Sequence, residues 1–289
     1  MTYQFGQFQI SPIIEHRFFL DGGTMFGVVP RKIWGRLLPV DEGNFIPMSC
    51  TLYVVVANGR RYLIDTGLGD CLNPMEEKIY SADNNSAIDS ELAKLDLTVA
   101  DIDGVLLTHL HTDHAGGAML RDGASYTPRF PKATYFVQRR ELEDGLNPDE
   151  RSAAAYSHER LQALADSGRL ELLDGDTEIA PGVNAVVTGG HTAGHQGFEF
   201  VSAGHKVVNY CDVVPTAHHI KLPYGASVDL YPVQTLAFKK SHILPLIDSD
   251  TVVALAHDHQ QTLVRFKSED RKITTEPIVE QIETTGGHH

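Results

Sequence analysis

Short apolar runs, rather than long amphipathic stretches, dominate the hydrophobic pattern of this chain. Residues 1–20, with Phe5, Phe8, Ile10, Ile13 and Ile14, predict strand material. The runs Cys50 to Ala57 and Arg61 to Asp65 predict two strands joined at Asn58-Gly59, a pair that favours a tight hairpin turn. Residues 86–95 predict a short helix with Ser86 as N-cap and Asp89 three residues on, and Thr98 with Asp101 repeats that signature. Val105-Leu106-Leu107 predicts a strand running into a His-rich turn, and residues 133–137 predict another strand. A helix over 147–167 is expected to open with Asn147-Pro148, a cap followed by proline. Further on, Ala185 to Thr188, Lys206 to Tyr210 and Thr251 to Ala256 predict strands, and a helix is expected after Asp229-Leu230-Tyr231-Pro232. Strands mixed with hairpins and helices predict an α+β fold: two packed sheets with helices outside, in one domain over residues 1–289. Its halves, about 1–180 and 181–289, are expected to meet near 175–183.

One segment breaks the rhythm. Residues 22–48 are rich in Gly, Pro and large apolar side chains, and a loop this long in a compact domain usually serves function or wraps a partner. Met25, Phe26, Trp34, Phe45, Ile46 and Met48 therefore read equally as core, as the wall of a substrate pocket or as a dimer contact. Composition narrows the classes. With 24 Lys+Arg against 38 Asp+Glu the formal net charge is −14, which repels phosphate backbones and argues against nucleic acid as a partner. No window approaches the ~18 apolar residues of a membrane span. The opening Met-Thr-Tyr-Gln-Phe-Gly lacks the basic and apolar regions of a leader, so cytoplasm is the expected compartment. Cys50, Cys71 and Cys211 are too few and too scattered for a disulfide framework. The final residues 286–289, Gly-Gly-His-His, read as a linker or tag remnant and carry no argument.

The chemistry concentrates at His109-Leu110-His111-Thr112-Asp113-His114, directly after an apolar strand. Side chains at i and i+2 of extended backbone point the same way, and Asp113 and His114 then turn into Ala115-Gly116-Gly117. His191, Asp212 and His257 each follow another apolar, β-favouring run. If those strands are neighbours, five His and two Asp meet at one rim and fill two metal sites with one bridging carboxylate. Two metals ~3.5–4 Å apart can share a hydroxide and clamp a displacement at a carbonyl or phosphoryl centre.

In this order the motifs resemble the metallo-β-lactamase superfamily of hydrolases: Asp65 in Leu-Ile-Asp-Thr-Gly, the 109–114 run, His191 in Gly-Gly-His-Thr-Ala-Gly-His, Asp212 and His257. The resemblance spans residues ~50–260 and implies an αβ/βα sandwich with a dinuclear site on one edge. It gives one metal to His109, His111 and His191, the other to Asp113, His114 and His257, and makes Asp212 the bridge, with Asp65 supporting the ligands. Segments 23–30, 212–219 and 229–232 look like the branch of YtnP-type quorum-quenching acyl-homoserine-lactone lactonases and methyl parathion hydrolases. The implied reaction is hydroxide attack on a lactone or related ester, with Asp113 passing a proton to the leaving alkoxide and two divalent cations as cofactors. Zinc is the default; iron, cobalt or manganese suit the same ligands. One departure stands out: many such lactonases carry Tyr three residues after the bridging Asp, and here Pro215 occupies that place. His218, His219, Tyr224 and Tyr231 are the candidates to replace it.

Blander readings compete. The 109–114 run could be a polar loop, and His191 or His257 alone would be an ordinary core histidine. His195 and His259 read as supporting or surface residues, and His218 and His219 as substrate contacts or plain loop. Cys211 reads as a buried thiol on the face opposite Asp212. The competing functions are a phosphotriester hydrolase using the same site and a metal-bound sensor protein without turnover.

Overall fold

The computed structural model describes residues 1–278 apart from 124 and 271; the Gly-Gly-His-His end lies outside them. Two seven-stranded sheets form the centre. The first runs, in spatial order, Tyr3–Phe5, Phe8–Asp21, Phe45–Ala57, Arg60–Ile64, Gly104–Leu106, Thr134–Gln138 and Leu170–Leu173. Its first four strands are antiparallel and the rest are parallel. The second runs Thr177–Ala180, Val183–Val187, Gln196–Ser202, His205–Asn209, Val252–Ala254, Leu263–Glu269 and Lys272–Pro277, with a single parallel pair, His205–Asn209 beside Val252–Ala254. Each sheet thus comes from one half of the chain, and the changeover falls between Leu173 and Thr177.

Period-2 alternation explains the layers. In Phe45–Ala57, Tyr53, Val55 and Ala57 face the second sheet, where Phe198, Phe200 and Val207 meet them. Leu52 and Val54 point the other way, into a layer closed by Ile88, Leu142, Leu161 and Leu164 from helices Ile88–Ala93, Arg139–Leu146 and His158–Asp166. On the far side, Val208, Val253 and Leu255 pack on Phe238, Ile243 and Leu246 around helix Pro232–Phe238. Strands buried on both faces read as unbroken apolar runs, and here they do. The order is helix, sheet, sheet, helix, the sandwich the motifs implied. Asn58 and Gly59, at φ 53° and 75°, make the expected hairpin turn.

Three local expectations fail. The expected 147–167 helix is present only as His158–Asp166, preceded by the single turn Ala153–Ala155; Asn147 instead ends a separate helix, Arg139–Leu146, at φ −132°, because the following Pro148 excludes the helical conformation there. Ser86 is one residue short of the cap of Ile88–Ala93: Ala87 holds that position, and the Ser86 hydroxyl donates to Glu15 while accepting a long bond from the Ile88 amide (3.4 Å). Residues 22–48 are not wholly irregular: they hold short helices Gly22–Phe26 and Arg31–Trp34 and the start of strand Phe45–Ala57. Among the described residues no helix is long and apolar enough to cross a membrane.

A register shift beside Glu15 aims its buried carboxylate at the 65–69 loop, where it accepts from the amides of Leu68 and Gly69 at 3.1 and 3.0 Å. That loop clamps the His-rich turn. The Thr66 amide donates to the His114 carbonyl (2.7 Å) and the Gly117 amide to the Gly67 carbonyl (3.0 Å). A methyl group on Gly117 would run into the Thr66 carbonyl oxygen. Gly117→Ala should therefore lower stability by about 1–3 kcal/mol, read as a lower urea midpoint at constant slope; an unchanged midpoint contradicts this packing.

Candidate metal centre

Asp65, His109, His191, Asp212 and His257 all follow the C-terminal ends of strands, so the sandwich brings them to one edge. His109 and His111 precede a single helical turn, Thr112–Ala115, that carries Asp113 and His114. The turn is anchored at both flanks. Glu141 accepts from the Leu110 amide (3.0 Å), from Tyr156 Oη (3.1 Å) and from the Thr192 hydroxyl, tying the turn to the His191 loop. Burial raises the Glu141 pKa, against these three donors. Arg160, paired with buried Glu76, holds Thr112 from the other side.

The tautomers follow from acceptor-only partners. His114 Nδ1 donates to Asp65 (3.0 Å), His191 Nδ1 to Asp229 (2.8 Å) and His257 Nδ1 to the Ser49 carbonyl (3.0 Å). With the rings neutral, each Nε2 is a bare lone pair. Yet His114 Nε2 and His257 Nε2 face each other at 3.0 Å, and His191 Nε2 faces His111 Nδ1 at 3.1 Å. His109 Nε2 is buried with no hydrogen-bond partner. Lone pairs so placed repel unless something positive lies between them. Among the described residues five trios have donor atoms within 4.8 Å of one another, and two of these are His109, His111 and His191, and Asp113, His114 and His257. Nitrogens bound at ~2.0–2.1 Å to one tetrahedral cation lie roughly 3.3 Å apart, close to these spacings. Asp212 faces both trios, Oδ2 at 3.1 Å from His191 Nε2 and Oδ1 at 3.2 Å from His257 Nε2. The donor set fits two divalent cations.

Electrostatics agrees. Burial, and then the neighbouring imidazoles, push His109 and His111 well below the ordinary histidine pKa, so both are neutral donors. Burial opposes charge on His114, His191 and Asp212 alike, but neighbouring anionic groups raise both imidazoles, and the positive rings of His114, His257 and His191 hold the Asp212 carboxyl well below its usual range, so this edge draws positive charge between its carboxylates. Asp65, at φ 56°, adopts a left-handed conformation rare outside glycine, the kind of strain that collects at functional sites.

Five of the seven side chains, His111, Asp113, His191, Asp212 and His257, line a cavity of about 240 Å³ whose walls include Phe18, Leu20, Met25, Met48, Ile79 and Val228, with His109 and His114 outside its lining. Of the expected substrate contacts, Met25 lines it. Phe26, Trp34 and Ile46 are buried in the cluster behind that wall, and Phe45 and His218 are not on it either. Tyr224 lines an adjoining cavity of about 500 Å³, and His219 is buried, with Nε2 donating to the Met25 carbonyl and Nδ1 accepting from the Thr216 hydroxyl rather than facing the site. Cys211 departs from the expected opposite face. It sits in a turn at φ 43°, not on a strand, which swings its Sγ to 3.4 Å from His114 Nδ1. Asp229, Ser49, Glu141 and Thr108 were not legible as supports; Thr108 Oγ1 reaches both Asp65 and His109 Nδ1. His195 is buried against His109, with ring centroids 4.9 Å apart.

Residues 46–263 match the family described as the metallo-beta-lactamase superfamily. The chain belongs to that superfamily. Superfamily members similar to it include an N-acyl homoserine lactonase of a Bacillus species, 36% identical over 165 residues, or 57% of this chain and 56% of that one. The chain spans a little over half the length of the first curated relatives it matches. Among solved structures, one described as "a probable metal-dependent hydrolase from Staphylococcus aureus" is 28% identical, with a TM-score of 0.88 over 97% of this chain and 100% of that one. AidC, described as a dizinc quorum-quenching lactonase in complex with a product, shares the fold at 18% identity, with a TM-score of 0.77 over 98% of each chain. Divalent-metal binding is the property these superfamily relatives and the clustered donors support together.

Partners that orient metal-binding imidazoles typically carry 10–100-fold in affinity. Asp229→Ala should weaken zinc retention by about that factor in a chelator competition while the circular dichroism spectrum stays unchanged; parent-like retention would remove Asp229 from the site.

Proposed function

We propose that this protein is a metal-dependent hydrolase that opens a lactone or related ester, with N-acyl homoserine lactones as the favoured substrate class. One observation carries the reading: three of the imidazoles and both carboxylates line a small cavity with apolar walls. We assign His109, His111 and His191 to one cation, Asp113, His114 and His257 to a second, and Asp212 to both, with zinc as the default and iron, cobalt or manganese compatible with the donors. Such a pair, when bound, lowers the pKa of water and polarises a carbonyl.

The chain's own residues do the rest. Asp65, Asp229 and the Ser49 carbonyl fix three rings so that no reorganisation accompanies reaction. Met25, Met48 and Leu20 exclude water and accept an acyl chain. Asp113 lines the cavity and is placed to carry a proton to the leaving alkoxide. The lactonase names of several relatives support this choice, as does the product-bound lactonase that shares the fold. A volume of about 240 Å³ suits a lactone ring with part of its chain.

Parallel assays of the zinc-loaded protein with N-hexanoyl-homoserine lactone and a paraoxon-like triester test the reading. The lactone should be preferred by at least about tenfold in kcat/KM. The reverse ranking would make the protein a phosphotriester hydrolase, and bound metal without turnover of either would favour a sensor.

A further inference from the structure

Ester opening places negative charge on the carbonyl oxygen, and a preorganised donor aimed at that atom is usually a large contribution to rate. The stretch after Asp212 offers none to the cavity. Pro215 lines it without a side-chain donor, the Thr216 hydroxyl is engaged with His219, and neither His218 nor Tyr224 reaches the wall. Apart from the assigned metal donors, the polar side chains lining the cavity are Thr24, Tyr80 and Arg151. Arg151 is exposed, with Nη2 donating to the Ser227 carbonyl at 2.8 Å, and Thr24 belongs to the short helix of the opposite wall. Tyr80 alone touches the assigned set: its Oη lies 3.3 Å from Asp113 Oδ1.

That distance is informative. O–H···O bonds cluster at ~2.7–2.8 Å, so a contact of 3.3 Å is loose and leaves the hydroxyl able to turn to a better acceptor. The ring itself is held firmly. Tyr80 ends helix Pro74–Tyr80, whose start is fixed by the reciprocal Asn73–Glu76 cap and by the buried Glu76–Arg160 pair. It packs edge-on against Phe18 (centroids 5.9 Å apart), which in turn packs edge-on against His257. A phenol hydroxyl is a hydrogen-bond donor at neutral pH.

Resting on the hydrolase reading above, we propose that Tyr80 is the oxyanion donor of this site, its Oη–H turning from Asp113 to the carbonyl oxygen of the bound ester. A hydroxide oxygen bonds to the carbonyl carbon and the C=O π pair moves onto the carbonyl oxygen, which accepts the Tyr80 hydrogen bond without taking its proton. The pair then returns, the ester C–O bond breaks, and the alkoxide leaves with the bonding electrons. It is neutralised by the proton the hydroxide brought in, relayed through Asp113. The products are a carboxylate and an alcohol, and Tyr80 ends as it began.

Tyr80→Phe keeps the ring and removes the donor. In the zinc-loaded protein, kcat for a homoserine lactone should fall about 10²–10³-fold with KM within about threefold, while zinc content and melting temperature match the parent. By calorimetry, affinity for a cyclic phosphonate mimic of the tetrahedral centre should fall by at least about tenfold, a readout independent of turnover. A kcat within about threefold of the parent with unchanged phosphonate affinity overturns the donor role. So does a loss of activity that tracks lost zinc, which would make Tyr80 a positioning residue for Asp113. A parent that opens no ester or lactone overturns the function proposed above, whereas an active parent matched by an equally active Tyr80→Phe overturns only the donor.

Discussion

Three buried imidazoles, His114, His191 and His257, give their Nδ1 protons to Asp65, Asp229 and the Ser49 carbonyl, and so turn three bare Nε2 lone pairs inward. This constraint organises the molecule's edge. Burial removes the water that would otherwise satisfy those atoms, and an unpaired polar group away from water is costly. Cations between them would convert mutual repulsion into bonds, and the Asp212 carboxylate, one oxygen toward each trio, would supply the countercharge. The surrounding supports then follow a single logic. Glu141, the Glu76–Arg160 pair and the bulged Glu15 each brace a loop that carries one of the converging groups or packs against one.

Much of this was legible because the two relevant periodicities are strong. Strands buried on both faces appear as continuous apolar runs, so their ends, and the polar residues just past them, can be placed before any coordinates are known. The spacing His109, His111, Asp113, His114 survives intact in space because extended backbone passes into one helical turn. What was illegible depends on groups that sequence does not bring together. Asp229 is 38 residues from His191, and Ser49 contributes a backbone carbonyl that carries no side-chain signature. Cys211 was misplaced because alternation was extended past the strand's end into a turn with positive φ. The proline at 148 was read as a helix start when it marks a helix end.

The apolar segment 22–48 shows the same limit at larger scale. Its composition announces a cluster, but not which members face the cavity. Met25 and Met48 do, while Phe26 and Trp34, stacked 5.3 Å apart, form the layer behind them. The cavity wall is therefore backed by a packed aromatic floor rather than by solvent. On the proposed reading a stiff wall would favour a narrow range of acyl groups, and the loose Tyr80–Asp113 contact is an adjustable polar element beside the candidate metal donors.

Anomalous diffraction from crystals of the zinc-loaded protein, collected at the zinc edge, tests the central claim most directly. The account predicts two peaks per chain, one between His109, His111 and His191 and one between Asp113, His114 and His257, with Asp212 reaching both. No peak at this edge of the sandwich, or zinc bound only elsewhere, would contradict it.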